Sequence, residues 1–143
     1  MTFLLDVNVL YILHQPLHAD YELVHRWFSG SRSDLFATCA MTQAGMLRLL
    51  MQEISGLDRF PIDDARRALK KLTEHPRHVF WPDALPYLDI ADFLSMRVQG
   101  HRQITDAYLL GLAVRNGGVL ATLDAGIRHI ASAEYSARVE LIQ

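Results

Sequence analysis

Five short apolar runs recur along the chain, each three to five residues long, with helix-like stretches between them. They are residues 2–6, 35–38, 79–81, 119–122 and 138–142. Runs this short and this apolar read as buried strands. Between them, Tyr21, Val24, Trp27 and Phe28 recur at helical spacing, as do Met46, Leu47, Leu50 and Ile54. The pattern predicts helices over 8–14 (stopped by Pro16), 19–29 (broken at Gly30 and Ser31), 42–54, 61–74 (Pro61 opening, Pro76 stopping), 86–97, 106–115 and 125–132. Asn116-Gly117-Gly118 closes the sixth of these. Strand alternating with helix predicts an α/β layer around a mainly parallel sheet. With no internal repeat and 143 residues, one domain over 1–143 is expected.

Three aspartates stand where such a sheet binds ligands. Asp6 ends the first run, Asp124 follows the fourth, and Asp106 lies at the entrance of the 106–115 helix. Ligands of parallel sheets sit outside the carboxyl ends of the strands, and the topology makes one common acidic cluster plausible. Helix capping accounts for each residue singly, at about 1 kcal/mol. It does not account for three carboxylates among apolar neighbours, where mutual repulsion would drive one toward protonation. A divalent cation relieves that repulsion, and hard oxygen donors select Mg²⁺ or Mn²⁺. Such an ion suits phosphodiester hydrolysis. Asn8, Thr105 and Thr122 are short polar groups beside the acids that could orient a carboxylate or a water, or serve as ordinary caps.

The stretches 4–10 (LLDVNVL), 37–50 (ATCAMTQAGMLRLL) and 101–127 (HRQITDAYLLGLAVRNGGVLATLDAGI) resemble the PIN-domain family, specifically the VapC-type toxins of bacterial toxin–antitoxin pairs. The resemblance implies a three-layer α/β/α sandwich and a metal-dependent endoribonuclease leaving a 3′-hydroxyl and a 5′-phosphate. It places Asp6, Asp106 and Asp124 on the family's metal-binding acids. It also implies a small antitoxin partner whose tail blocks the site, and a homodimer. Where relatives often carry a glutamate, this chain has Gln43, which brings no negative charge; Gln43 is therefore a possible contact outside the metal set. The neutral position motivates an alternative: a catalytically weakened PIN-like module that binds RNA or protein. A receiver-type or haloacid-dehalogenase-type phosphoryl-transfer protein fits poorly, because Asp6-Val7-Asn8 lacks a second acid two residues on.

Other features sort against function. The formal charge of −2 argues against coating nucleic acid by bulk charge. The single cysteine, Cys39, forbids an internal disulfide, which fits a reducing cytoplasm. No apolar run reaches the ~20 residues of a membrane span, and the N-terminus lacks the basic region of a signal peptide. The pairs His14/His18 and His75/His78 are each interrupted by proline, so neither reads as a zinc site. Asp83, Asp89 and Asp92 are further acids of lesser promise. Arg97 and Arg102, near Asp106, are candidates for RNA phosphate contact; Arg66, Arg67, Lys70 and Lys71 read first as a solvated helix face. The apolar residues Leu10 to Leu13 read first as core, with an antitoxin groove as the alternative.

Overall fold

A computed structural model describes residues 1–30 and 33–143, so the expected break at Ser31 lies outside the described residues. Five strands form one sheet: β1 (Thr2–Leu5), β2 (Leu35–Thr38), β3 (His78–Phe80), β4 (Val119–Thr122) and β5 (Val139–Leu141). Their order is β3-β2-β1-β4-β5 and every pairing is parallel. The expected mainly parallel sheet is thus parallel throughout its described strands. From β1 the chain winds outward to β2 and β3, then returns to add β4 and β5 on the other side. The switch in strand order therefore falls between β1 and β4, the place at whose carboxyl edge sheets of this kind bind ligands.

The helices are α1 (Val7–Ile12), α2 (Tyr21–Gly30), α3 (Ala40–Met51), α4 (Ile62–Thr73), α5 (Tyr87–Ala91), α6 (Ile104–Arg115) and α7 (Ile127–Ala131). Strand alternation assigns them to two layers. Leu4, Ala37 and Leu120 point to one face and pack with α5, α6 and α7. Leu5, Phe36 and Ala121, one residue on in β1 and β4 and one residue back in β2, point to the other and pack with α1 to α4. This is the three-layer sandwich expected, and it arises because residues one apart in a strand face opposite ways.

Several boundaries differ from the sequence reading. The 8–14 helix ends at Ile12, where the His14 ring nitrogen Nδ1 lies 2.7 Å from the Leu10 carbonyl and takes up an end-of-helix acceptor. The 86–97 helix is α-helical only to Ala91 and tightens into a 3-10 turn over Asp92–Arg97. The 106–115 helix begins at Ile104, because a 3-10 turn at His101–Gln103 runs directly into it. Asp106 therefore lies inside the first turn of α6 rather than capping it. Gly117, at φ +66°, closes α6 in the left-handed conformation that glycine adopts without strain. Leu10, Tyr11 and Ile12 are buried, so core packing accounts for them. Trp81, also buried, lies under the Gly118 turn in the core.

Candidate active site

The carboxyl edge of β1 and β4 is built from paired sequence endings. Both β2 and β4 finish in Ala-Thr, and both threonines, Thr38 and Thr122, are fully buried. They flank β1, whose chain continues into Asp6. The backbone N–H of Asp6 donates to the Ala121 carbonyl at 3.0 Å, which extends the ladder one residue past β1 and sets Asp6 beside Thr122.

Asp6 is 7% exposed. Its Oδ1 accepts from the Val7 N–H at 2.7 Å and its Oδ2 from the Thr122 hydroxyl at 2.7 Å. The same Thr122 oxygen accepts the Asp124 N–H at 3.1 Å, so one hydroxyl ties two of the three acids together. Asp124 is exposed, and its Oδ1 accepts the Gly126 N–H at 2.8 Å. Asp106 is half-buried. Burial, then the charges of Asp6 and Asp124, push its carboxyl up to about 6. Burial likewise raises Asp6, against the pull of Thr122 and Val7. The three acids of the sequence reading therefore share one electrostatic field.

They do not share a coordination shell as they stand. Among the described residues, no group of three or more His, Cys, Asp or Glu side chains is placed to hold a metal ion. The two facts concern different distances. Charges couple across several ångströms in a protein, whereas ligands of Mg²⁺ stand at about 2 Å. Repelling carboxylates turn toward local donors, and Asp6 and Asp124 have done so. The donor set itself, three carboxylates of which burial and then mutual repulsion favour a proton on Asp106, fits a hard divalent cation.

The remaining candidates divide. Thr122 is where the sequence reading placed it, and it touches Asp6 and Asp124. Asn8 and Thr105 are exposed. Gln43, in the first turn of α3, donates through Nε2 to Thr38 Oγ1 at 3.0 Å, and that oxygen lies 2.8 Å from His78 Nε2. The Gln43 amide thus joins a polar chain at the end of β2. Arg102 is exposed beside α6. Arg97 is paired with Glu134 at 2.9 Å and lies over the Tyr135 ring. Arg66, Arg67 and Lys70 line a groove of about 700 Å³ between α3 and α4, with Gln43 in its wall, and pair along α4 with Asp63, Asp64 and Glu74. Asp83 accepts the Met41 N–H at the start of α3, a capping role. Cys39 is buried at the head of α3, its thiol pushed up by burial, as a structural cysteine should be. Sequence reasoning missed Thr38; the shared Ala-Thr ending of β2 and β4 was the available signal.

A sheet whose described strands are all parallel, with three electrostatically coupled acids near its switch point, defines an α/β protein with an acidic cluster at its carboxyl edge. No protein-family model matches the chain. Ribonuclease VapC29 of Mycobacterium tuberculosis is 41% identical over 130 residues, covering 91% of this chain and 91% of that protein. Ribonuclease VapC39 of the same organism is 36% identical over 137 residues, 93% of this chain and 96% of that protein. Among solved structures, FitAcB from Neisseria gonorrhoeae superposes with a TM-score of 0.59 at 21% identity, covering 90% of this chain and 92% of that one. FitAB bound to an IR36 DNA fragment superposes at 0.61 and 19% identity, covering 97% and 94%. These two establish likeness of fold, and it is the PIN fold. The chain belongs to the VapC ribonuclease family.

Proposed function

We propose that this chain is an endoribonuclease toxin of a toxin–antitoxin pair, hydrolysing RNA phosphodiesters with a divalent cation held by Asp6, Asp106 and Asp124. The carrying observation is the placement of the three acids at the switch point, Asp6 and Asp124 tied through one Thr122 hydroxyl and Asp106 raised to about 6 by burial first and then by their charges. Its VapC relatives, named ribonucleases, supply the reaction class. Mg²⁺ or Mn²⁺, when bound, would polarise a phosphoryl oxygen and acidify a water.

The residues divide the remaining work. Asp6 is locked by Val7 and Thr122, so its carboxylate presents a fixed orientation. Asp124 is exposed and held by an N–H on a short turn, so it can swing toward the acids at the loss of one hydrogen bond. Asp106 releases its proton close to neutral pH, which places the site near its switch between protonated and fully charged forms. Arg102 is the exposed cation for a backbone phosphate.

The domain spans 1–143, and the reading sets it in the cytoplasm with its RNA. Among the described residues no helix is long and apolar enough to cross a membrane. A second copy would cover Leu85, Leu88, Phe93 and Ile104, large apolar side chains left exposed around α5 and the start of α6. An antitoxin would bind the same chain and block the acidic cluster. Purified protein, freed of antitoxin, should cut RNA only with Mg²⁺ or Mn²⁺, and Asp6→Asn, Asp106→Asn and Asp124→Asn should each abolish cutting. Full activity in all three would reject the assignment.

A second reading, a weakened module that binds RNA without cutting it, draws on Gln43, whose amide is committed to Thr38. RNA binding without metal binding in a calorimetric titration would favour it.

A further inference from the structure

A pocket of about 330 Å³ lies beside α1. Two of its lining residues adjoin the acids: Asn8 is two residues past Asp6, and Leu123 directly precedes Asp124. Ile12, Leu49 and Leu57 contribute apolar wall, and Tyr11, His18 and Asp20 contribute polar groups. Tyr11 is the unusual member. Its side chain is 4% exposed, yet its hydroxyl is buried without a hydrogen-bond partner. A buried hydroxyl left unpaired is disfavoured, and natural proteins carry few. The ring itself is held edge-on to His18, with centroids 6.4 Å apart. His18 accepts the Asp20 N–H through Nδ1 at 3.0 Å, which leaves the proton of the neutral imidazole on Nε2 as a donor.

We infer that this pocket receives a nucleobase of the RNA beside the scissile phosphate, with the Tyr11 hydroxyl bonding its edge. The inference rests on the ribonuclease reading and names its specificity subsite. Three properties favour a base. The volume admits one planar ring system between apolar walls. Aliphatic walls with a polar rim match a base splayed from a single strand. The phenol hydroxyl and the imidazole N–H can donate and the Asp20 carboxylate can accept, which suits a base with a carbonyl beside a ring N–H, guanine or uracil, over adenine. Position completes the argument: a phosphate at the acids places the adjoining base within one nucleotide of Asn8 and Leu123.

The test has two arms. In the first, methyl-labelled protein without metal is titrated with GMP, UMP and AMP. GMP or UMP should shift the methyl resonances of Ile12, Leu49 and Leu57 more than AMP does, and Tyr11→Phe should weaken that binding about tenfold, the worth of one hydrogen bond. In the second, a random-sequence RNA is cut with Mg²⁺ and its 5′ ends are mapped. Preference for a carbonyl-bearing base beside the cut should fall about tenfold in Tyr11→Phe, and likewise in Leu57→Trp, which fills the pocket from its half-buried rim. Unchanged nucleotide binding and an unchanged cleavage profile in both variants would overturn the inference. So would methyl shifts with N-acetyltryptophanamide and none with any nucleotide, which would make the pocket a receptor for a protein side chain. Absence of metal-dependent cutting by the wild type would reject the ribonuclease reading alone, and the nucleotide titration would still decide the pocket.

Discussion

The Thr122 hydroxyl donates to Asp6 Oδ2 at 2.7 Å, joining residues 116 positions apart at the centre of the acidic cluster. The same oxygen accepts from the Asp124 backbone, so Thr122 sets the spacing of two acids without carrying charge. Thr122→Val keeps the shape and removes both bonds. It leaves a buried carboxylate oxygen and a backbone N–H short of partners, which should destabilise the protein by roughly 1 to 3 kcal/mol. Metal-dependent cutting should fall by about tenfold or more, as for other groups that orient metal ligands. Thr122→Ser should restore both. Urea denaturation and RNA cleavage read the two effects, and wild-type behaviour in Thr122→Val would dissociate the hydroxyl from the site.

Gln43 donates to Thr38, and Thr38 lies against His78, so the amide holds a polar chain at the end of β2. Gln43→Glu removes that donor and adds a charge at the end of β2, two strands from β4 on the same carboxyl edge as Asp6. Stability without metal should drop by about 1 kcal/mol, while Mg²⁺ or Mn²⁺ binding should tighten by about tenfold or more through the added carboxylate. Calorimetric metal titration separates these outcomes. An unchanged metal affinity would place position 43 outside the site's reach.

The layout of the fold was legible because its strands are short, apolar and bounded by clear breaks. Leu4 and Leu5 face opposite layers as strand alternation requires, and Asn116-Gly117-Gly118 ends α6 as its composition implies. The nearness of Asp6 and Asp124 was legible for the same reason, because strand ends at a parallel edge converge, whereas Asp106 joins their field from the first turn of α6. What escaped depended on contacts between distant segments. Arg97, read as a candidate for phosphate, is paired with Glu134, 37 residues away. The start of α6 was misplaced by two residues because the preceding 3-10 turn enters it with no side-chain cap as a marker. Tyr11 read correctly as core, but nothing local reveals that its hydroxyl has no partner once buried.

Gly111 lets α5 lie against α6. A side-chain carbon at this position would overlap the Ile90 carbonyl, a backbone atom that cannot rotate away. Gly111→Ala should therefore push the helices apart at a loss of roughly 1 to 3 kcal/mol, as overpacked cores do. Asp106 rides on α6 one and a half turns earlier, so cutting should fall as well. Gly100→Ala, where a Cβ meets nothing within 4 Å, is the control and should stay within about 0.5 kcal/mol of wild type. Equal melting curves for the two variants would contradict the packing argument.

Asp106 gives the metal-free protein a pH dependence opposite to that of a salt-bridged carboxylate. Its folded value of about 6 lies above its ordinary 3.8, from burial first and then from Asp6 and Asp124. The folded chain therefore holds this proton more tightly than the unfolded chain. The contribution is fully present below the unfolded value and is lost as pH rises through about 6. Asp6, raised by burial, acts in the same direction. For a half-exposed group, solvent screening trims the Asp106 contribution to about 1 to 2 kcal/mol. Without metal, wild-type stability should decline between about pH 4 and pH 7 relative to Asp106→Asn, which cannot titrate there. A bound divalent cation needs the charged carboxylate, so with Mg²⁺ or Mn²⁺ the wild type should gain stability from the metal as pH rises through the same range, and Asp106→Asn should gain little. Thermal melts across this range, with metal or with chelator, test both halves. Parallel curves for wild type and Asp106→Asn under both conditions would remove Asp106 from the acidic field.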